Sequence, residues 1–154
     1  MNKSHLVESL KSDLRQRYDR AVAALAGAHE AATGADTKAE NKYDTRGLEA
    51  SYLAAGQADQ AEELLRGITS IDAFTFKDFD MDETIGTGAL VEAEREDELL
   101  YYLLAPAGGG MVITADSGES VTVLGPASPL AAKLNGKTTG TILHDPDLII
   151  LEVM

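Results

Sequence analysis

The sequence contains no cysteine and no tryptophan among its 154 residues, and aromatic residues make up 5% of it. The absence of cysteine excludes a disulfide framework, a thiolate zinc site and a cysteine nucleophile. Long apolar runs are also missing, since none approaches the roughly 20 residues that span a bilayer. The opening residues MNKSHLVESLKSDL lack the apolar core of a signal peptide. We therefore expect a cytoplasmic protein that does not bind a membrane.

Basic residues are scarce, and the formal net charge is −13. Phosphate backbones repel such a chain, which argues against direct, sequence-specific nucleic-acid binding. The charge is also unevenly placed. Residues 1–70 contain 9 Lys/Arg against 11 Asp/Glu, a net of −2, and residues 71–154 contain 4 against 15, a net of −11. This asymmetry predicts two domains, one over 1–70 and one over 71–154.

Two helices are predicted in the first half, because apolar residues recur there every three or four positions. The first helix is predicted over 4–33, with an apolar stripe of Leu6, Leu10, Leu14, Tyr18, Ala21, Leu25, Ala28 and Ala32. The second is predicted over 45–66, with a stripe of Leu48, Tyr52, Ala55, Ala58, Ala61, Leu65 and Ile68. Gly67 is expected to end it. Large residues at the open ends and alanines toward the turn favour an antiparallel coiled-coil hairpin with its tip at 34–44.

The pattern changes after residue 69 to short strand-like runs separated by turn residues. The predicted strands are 86–94, 99–105, 110–115, 119–124 and 147–153. One short helix is predicted at 128–136, with Ser128 as N-cap, Pro129 at its first position and Gly136 after its end. These elements predict an α+β protein whose C-terminal half is a small, mostly antiparallel sheet with one helix.

Three other features of this half have predicted structural roles. The run AGGGM at 107–111 is interpreted as a plain hairpin turn. Strand alternation predicts that one of Tyr101 and Tyr102 is buried and the other exposed. The phenylalanines of the segment before the first strand are predicted to pack against the base of the hairpin: Phe74, Phe76 and Phe79.

Catalytic motifs are absent from the sequence. The three histidines, His5, His29 and His144, form no metal-ligand spacing, and the chain has no GxSxG, Walker or GxGxxG motif. No nucleophile–base pair can be proposed. We therefore expect a protein that is not an enzyme by itself and that has no intrinsic cofactor.

The segment GPASPLAAKLNGKTTGT (125–141) resembles the C-terminal domain of the Gre family of bacterial transcription elongation factors. That family's pattern is Ser-Pro-Leu-x-x-x-Leu-x-Gly-Lys-x-x-Gly-Asp. The matching residues here are Ser128, Pro129, Leu130, Leu134, Gly136, Lys137 and Gly140. TGALVEAE (87–94) and LIILEVM (148–154) look like the first and last strands of that domain. DTKAENKYDTRGLEAS (36–51) looks like the tip of the short Gre-like branch, whose tip is divergent.

The resemblance implies a fold and a partner. The fold is an N-terminal antiparallel coiled coil followed by an FKBP-like domain, and the partner is core RNA polymerase. In that family the C-terminal domain docks at the mouth of the polymerase secondary channel. The residues implied in docking are Ser128, Pro129, Leu130 and Lys137. A monomer is expected, because a dimer through the hairpin would block entry into the channel.

The resemblance also implies a role for the acidic tip residues Asp36, Glu40 and Asp44. They would act inside the polymerase active site, where Asp36 and Glu40 would share a Mg²⁺ ion with the polymerase. Carboxylates suit this role, because two-metal chemistry requires two closely spaced cations and oxygen ligands. The polymerase itself would then cleave backtracked RNA.

Several alternatives remain open. Cleavage factors carry Asp-x-x-Glu-Asn at the tip, whereas Asp36 here precedes Glu40 by four residues. A non-cleaving Gre-like inhibitor or modulator that occupies the channel is therefore one alternative, and a solvated turn with a helix cap is another. Two further classes are an FKBP-like prolyl isomerase or chaperone, and a scaffold or antitoxin-like protein that binds another partner.

Overall fold

The computed structural model describes residues 1–33 and 46–154, which form two long helices, a six-stranded sheet and a short helix. Helix α1 comprises Lys3–Thr33, and helix α2 comprises Arg46–Ala73. The predicted α+β class is confirmed. The predicted tip at 34–44 lies outside the described residues, and the coiled-coil hairpin stays a prediction. None of the described helices is long and apolar enough to cross a membrane.

Two compact units share these elements. The first combines Met1–Ser12 with Thr69–Met154, and the second comprises Asp13–Ile68. The first is called the sheet unit below, because it contains the whole sheet together with the beginning of α1 and the end of α2. The second is called the helical unit, because it contains the remainder of both long helices.

Helix α1 buries the stripe that its sequence predicted. Leu6, Leu10 and Leu14 are buried near its beginning, and Ala21 and Ala28 are buried further along. Spacings of three and four residues place these side chains on one side of the helix. Each buried leucine contributes roughly 1.5–3 kcal/mol, so the first turns of α1 stabilise the sheet unit.

Helix α2 is longer than predicted. It continues through Gly67 and ends at Ala73, whereas the prediction ended it at Arg66. A glycine inside a helix costs about 1 kcal/mol relative to alanine. Ile71 lies beyond the glycine and is fully buried, which is worth roughly 1.5–3 kcal/mol and offsets that cost.

The apolar stripe predicted for α2 is largely wrong. Leu48, Tyr52 and Leu65 are 56%, 71% and 47% exposed, while Ala61 and Ile71 are buried. Alanine and leucine occur on several sides of this helix, so their spacing permits more than one stripe. The burial of Ile71 in the sheet unit decides which side faces inward.

The sheet has the strand order β3-β4-β2-β1-β6-β5. Its strands are β1 Leu90–Arg95, β2 Glu98–Leu104, β3 Val112–Thr114, β4 Ser120–Leu124, β5 Ile142–Leu143 and β6 Leu148–Val153. Helix α3, Pro129–Leu134, lies between β4 and β5 in the sequence. The sequence did not predict β5, because a strand of two residues is too short to show alternation.

One strand pairing is parallel in a sheet that was predicted to be mostly antiparallel. Strands β2 and β4 are parallel, with Tyr102 opposite Thr122 and Leu104 opposite Leu124. The other four pairings are antiparallel. Strands β3 and β4 form an antiparallel hairpin, and β4 is the member of that hairpin next to β2. The chain therefore reverses twice between β2 and β4 and returns in its original direction.

Both faces of the sheet bury apolar side chains. Successive residues of a strand point to opposite faces, so each inner strand contributes to two clusters. The cluster on the face that carries α3 includes Val91, Ala93, Leu104, Leu124, Leu134 and Ile150. The fully buried residues of β1, β2 and β4 on the opposite face are Leu90, Leu103, Val121 and Val123.

The glycine run before β3 is not the plain hairpin turn that was predicted, because β2 and β3 are not neighbours in the sheet. A Cβ atom on Gly108 would lie 3.0 Å from Cδ1 of Leu10. A Cβ atom on Gly109 would lie 2.9 Å from the backbone nitrogen of Gly125. The run therefore lets one backbone segment approach another, and lets α1 approach the sheet.

Lys3 is 8% exposed although it carries a charge. Its Nζ donates hydrogen bonds to the carbonyl oxygens of Lys77, Gly88 at 3.2 Å and Met154 at 2.9 Å. It also lies 5.0 Å from the ring centroid of Phe79, within the range of a cation–π interaction. Burial lowers the pKa of Lys3. The sequence analysis did not single out this residue, which joins three separate parts of the sheet unit.

We expect Lys3→Met to lower the free energy of unfolding by about 1–3 kcal/mol, because three carbonyl oxygens lose a charged donor while the apolar stem is kept. Lys11→Met on the same helix is the matched control. The Lys11 Nζ lies 3.2 Å from Glu8, which is largely exposed, and 3.9 Å from Asp72, which is 41% exposed. Such pairs contribute at most about 1 kcal/mol. Urea denaturation at neutral pH measures both variants, and equal losses would contradict the role of Lys3.

Candidate functional site

Helix α3 lies within the 125–141 segment that resembles the Gre pattern, and the helix begins and ends as predicted. The Ser128 side chain accepts a hydrogen bond from the backbone N–H of Ala131 at 3.2 Å, and Pro129 follows as the first helical residue. Asn135 is the C-cap, and Gly136 after it has a φ of 78°. Leu134 is fully buried and anchors the helix to the sheet. A capped and anchored helix presents its outer side chains in a fixed position.

The backbone on both sides of α3 is also held in place. The backbone N–H of Ser128 donates to the carbonyl oxygen of Gly125 at 3.0 Å. At the other end, the Ile85 N–H donates to the carbonyl oxygen of Lys137 at 2.8 Å, and the Gly136 N–H donates to the carbonyl oxygen of Ile85 at 2.7 Å. These bonds tie both ends of the motif to loops of the sheet unit.

The four predicted docking residues lie at the two ends of α3. Pro129 and Lys137 are exposed, while Ser128 and Leu130 are half-buried. Leu130 packs against the apolar cluster beneath the helix. A helix of six residues is about 9 Å long, so one short element separates the two groups. One short helix thus separates the Ser-Pro-Leu end from Lys137.

A cavity of about 390 Å³ adjoins α3. Its lining exposes polar and apolar surface in about equal shares and comes from the ends of β2 and β4, the following loop and the helix itself. The lining residues are Thr87, Leu104, Ala105, Leu124, Gly125, Pro126, Ala131, Ala132 and Asn135. Its chemistry suits an apolar side chain of a partner, with Thr87 and Asn135 available for hydrogen bonds.

A second cavity, of about 420 Å³, lies along the same two strands. Its lining residues are Glu98, Leu99, Leu100, Tyr101, Tyr102, Glu119, Ser120 and Thr122. Tyr102 and Thr122 are each two residues before the Leu104 and Leu124 of the first cavity, so their side chains point to the same face. The two cavities therefore follow one another along β2 and β4, and together they are called the docking groove below.

The docking groove was missed by the sequence analysis. The signal that could have found it is the alternation in β4, where Ser120, Thr122 and Leu124 lie on one face. Hydroxyl groups at two of these positions are unusual for a covered sheet face. Parallel pairing of β2 with β4 places them beside Leu100 and Tyr102, and this pairing is not evident from local sequence.

Both tyrosines of β2 are half-buried, so the prediction of one buried and one exposed ring is wrong. Tyr102 packs against the cluster beneath α3, and burial raises its pKa. Desolvation also raises the pKa of Tyr101, with smaller contributions from Glu92 and Glu119. Both phenols therefore stay protonated at neutral pH and can donate hydrogen bonds. Each face of the sheet is covered over part of its width, which explains the similar exposure.

The three phenylalanines before β1 belong to the sheet unit. Phe74 and Phe76 pack edge to face with ring centroids 4.9 Å apart, and Phe74 Cε1 approaches Gly88. Phe79 packs against the cluster beneath α3. Phe74 and Phe76 also share a cavity with Lys3, Val7 and Lys11 of α1. Phe74 and Phe76 therefore lie beside the first turns of α1, whereas packing of the phenylalanines against the base of a hairpin stays a prediction.

The predicted tip acids Asp36, Glu40 and Asp44 lie outside the described residues. Within 1–33 and 46–154, no group of three or more His, Asp or Glu side chains is arranged to hold a metal ion. The predicted sharing of a Mg²⁺ ion by Asp36 and Glu40 accordingly stays a prediction. The prolyl-isomerase alternative also stays a prediction. Its cavity would need aromatic walls, and the aromatic residues of the docking groove are Tyr101 and Tyr102.

The solved structures to which this chain is similar include three of Gfh1. GreA factor homolog 1 (Gfh1) of Thermus thermophilus is 19% identical, covers 94% of each chain and has a TM-score of 0.35. A structure described as the transcription factor Gfh1 is 19% identical, covers 94% of this chain and 93% of its own, and has a TM-score of 0.39. Gfh1 of Thermus aquaticus is 20% identical, covers 95% and 92%, and has a TM-score of 0.35.

No family model matches the chain, and no curated protein matches it. TM-scores of 0.35 to 0.39 assign no function to this chain.

Proposed function

We propose that this protein is a transcription elongation regulator that binds RNA polymerase at its secondary channel. The sheet unit docks on the polymerase through α3 and the docking groove, and the tip at 34–44 enters the channel. Once there, the tip stimulates cleavage of backtracked RNA by the polymerase. The observation that carries this proposal is the 125–141 segment, whose Gre-like residues lie on a capped helix and directly after it, with Pro129 and Lys137 exposed.

Rigidity of α3 supports a docking role. Its caps, the buried Leu134 and the backbone bonds to Ile85 fix the exposed residues before any partner arrives. Preorganisation of this kind lowers the entropy cost of association. The docking groove adds a cavity beside the helix. An interface places in such pockets the buried side chains that contribute most to affinity.

Charge supports the proposed destination. Residues 71–154 carry a net charge of −11, which would be repelled by an exposed nucleic-acid backbone. A channel that admits nucleotides is expected to be lined with positive charge, and such a channel attracts an acidic protein. The acidic surface therefore favours a protein partner with a basic entrance over direct binding to nucleic acid.

The tip acids give the proposed chemistry. Asp36, Glu40 and Asp44 provide three carboxylates within nine residues. A Mg²⁺ ion shared with the polymerase would supply activation of the attacking water. The carboxylates would bind that ion and orient the water, while the polymerase holds the RNA and carries out the reaction. The protein has no catalytic activity alone on this proposal.

The test is RNA cleavage in artificially backtracked elongation complexes, with and without the protein. Shortened RNA from wild type supports the proposal. Binding to polymerase with intact RNA would favour the second candidate, a non-cleaving modulator that occupies the channel. The tip spacing favours that candidate. Cleavage factors separate the two acids by three residues, whereas Asp36 and Glu40 are four apart. In a helical turn one additional residue rotates a side chain by about 100°, which would turn the two carboxylates away from a common metal ion. Absence of polymerase binding would contradict both candidates.

We expect Lys137→Glu to weaken binding to core RNA polymerase by roughly tenfold, or about 1.4 kcal/mol, because a docking cation is replaced by an anion. The Lys137 side chain is exposed, so the melting temperature should not change. Lys11→Glu makes the same change of charge in the sheet unit, away from α3, and should alter affinity by less than about twofold. Fluorescence anisotropy of each labelled variant, titrated with core RNA polymerase, measures the two affinities. Equal weakening would show that overall charge, not docking at α3, is responsible.

A further inference from the structure

The helical unit contains a groove that the proposed function does not use. Its volume is about 300 Å³, and it lies between α1 and α2. Its lining residues are Arg17, Arg20 and Ala21 of α1 and Gln57, Gln60 and Leu64 of α2. Ala21 is buried, and its small side chain leaves room for the longer polar side chains around it.

The polar side chains of this groove can all donate hydrogen bonds, and none is a carboxylate. Arg17 and Arg20 are three residues apart on α1, and Gln57 and Gln60 are three apart on α2. Side chains at this spacing are neighbours on a helix surface, with Cβ atoms about 5–6 Å apart. The chain has 26 acidic residues against 13 basic ones, so two arginines without a lining carboxylate form a distinct basic site.

Neither arginine is neutralised within the part of the chain that the structure describes. The Nε of Arg20 donates to the backbone carbonyl oxygen of Gln16 at 3.3 Å. Among residues 1–33 and 46–154, neither Arg17 nor Arg20 forms an ion pair with a carboxylate. Two guanidinium groups are therefore available to an anion from solution.

We propose that this groove binds the pyrophosphate group of a small ligand, either free pyrophosphate or a nucleoside di- or triphosphate. Guanidinium groups bind phosphate oxygens in a bidentate way, so two of them lining one groove can each engage one of two adjacent phosphate groups. The glutamine amides supply further donors. A volume of about 300 Å³ is at the lower limit for a small-molecule site, enough for the phosphates with the remainder of the ligand outside. The net charge of −13 disfavours an extended polyanion such as RNA.

Isothermal titration calorimetry on the intact protein at low ionic strength tests this proposal. We expect pyrophosphate and a nucleoside triphosphate to bind saturably. Orthophosphate and a nucleoside monophosphate should bind at least about tenfold more weakly, because one phosphate group cannot engage both guanidinium groups fully. The Arg17→Gln/Arg20→Gln double variant should weaken pyrophosphate binding at least about tenfold, since charge-assisted hydrogen bonds are lost.

Two further double variants separate a specific site from general charge. Arg66→Gln/Arg95→Gln removes the same charge outside the groove and should change affinity by less than about twofold. Arg17→Lys/Arg20→Lys keeps the charge but loses the planar fork, and an intermediate affinity is expected. Glutamine and arginine have similar helix propensities, and circular dichroism checks that each variant is folded.

Three results would overturn the proposal. They are the absence of saturable pyrophosphate binding by wild type, equal binding of orthophosphate and pyrophosphate, and equal weakening by the Arg66/Arg95 control. Full affinity of the lysine variant would overturn bidentate recognition. Since these measurements contain no polymerase, their outcome is independent of the proposed role in transcription.

Discussion

Replacing Glu40 with alanine should reduce cleavage of backtracked RNA by about ten- to a hundredfold while leaving affinity for polymerase unchanged. On the proposed function, Glu40 is a carboxylate that reaches a Mg²⁺ ion in the polymerase active site. Loss of a group that positions a metal or its ligands typically costs that much activity. Docking through the sheet unit, as proposed, does not involve Glu40, so affinity should be retained. Single-turnover cleavage and a separate binding assay measure the two quantities.

Glu30→Ala is the matched control for this change. It removes one acidic residue from α1, outside the 34–44 segment, and should leave cleavage within about twofold of wild type. Comparison of Asp36→Ala with Asp44→Ala then identifies the acid that acts with Glu40. The acid whose loss costs as much as that of Glu40 is the partner. If all three tip variants cleave as well as wild type, the tip acids have no role in cleavage.

A single methyl group at Gly109 should lower the free energy of unfolding by about 1–3 kcal/mol, the usual cost of overpacking. A Cβ atom there would lie 2.9 Å from the backbone nitrogen and 3.0 Å from the Cα of Gly125. Backbone atoms cannot rotate away as a side chain can. Hydrogen bonds from Gly110 to Val123 at 2.9 Å and from Ala105 to Leu124 at 3.0 Å hold the two segments together. Urea denaturation of Gly109→Ala measures the loss.

Gly86→Ala is the control for this experiment, because no heavy atom lies within 4 Å of a Cβ atom at that position. Alanine there should leave stability unchanged or raise it by about 0.4–1 kcal/mol, since it restricts the unfolded chain. Gly125→Ala should resemble Gly109→Ala, because its Cβ atom would lie 3.2 Å from the Cα of Gly109. A Gly109→Ala variant as stable as Gly86→Ala would contradict the close approach.

The local features of this protein followed from the sequence by itself. The stripe of α1 was predicted because leucines at spacings of three and four define one side of a helix. The ends of α3 were predicted because Ser128, Pro129 and Gly136 each suit one position of a helix terminus for reasons within a few residues. The α+β class followed from the change in periodicity after residue 69. Each of these depends on neighbours close in the chain.

Tertiary structure decided what depends on distant residues. The inward side of α2 was ambiguous, because alanine and leucine surround that helix and the burial of Ile71 selects one side. The parallel neighbour of β2 was not evident, because β4 reaches it through a hairpin with β3. The docking groove depends on that pairing. The burial of Lys3 depends on carbonyl groups as far away as Met154.

The candidate site divides in the same way. Ser128, Pro129, Leu130 and Lys137 were identified from a contiguous pattern, and the structure places them at the two ends of α3. The basic groove of Arg17 and Arg20 could not be predicted, because Gln57 and Gln60 complete it from another helix about 40 positions along the sequence. Local sequence determines the helix caps, the apolar stripe of α1 and the fold class, since each depends on residues that are close in the chain. Grooves and strand neighbours require the packed chain, since their walls come from segments that only folding brings together.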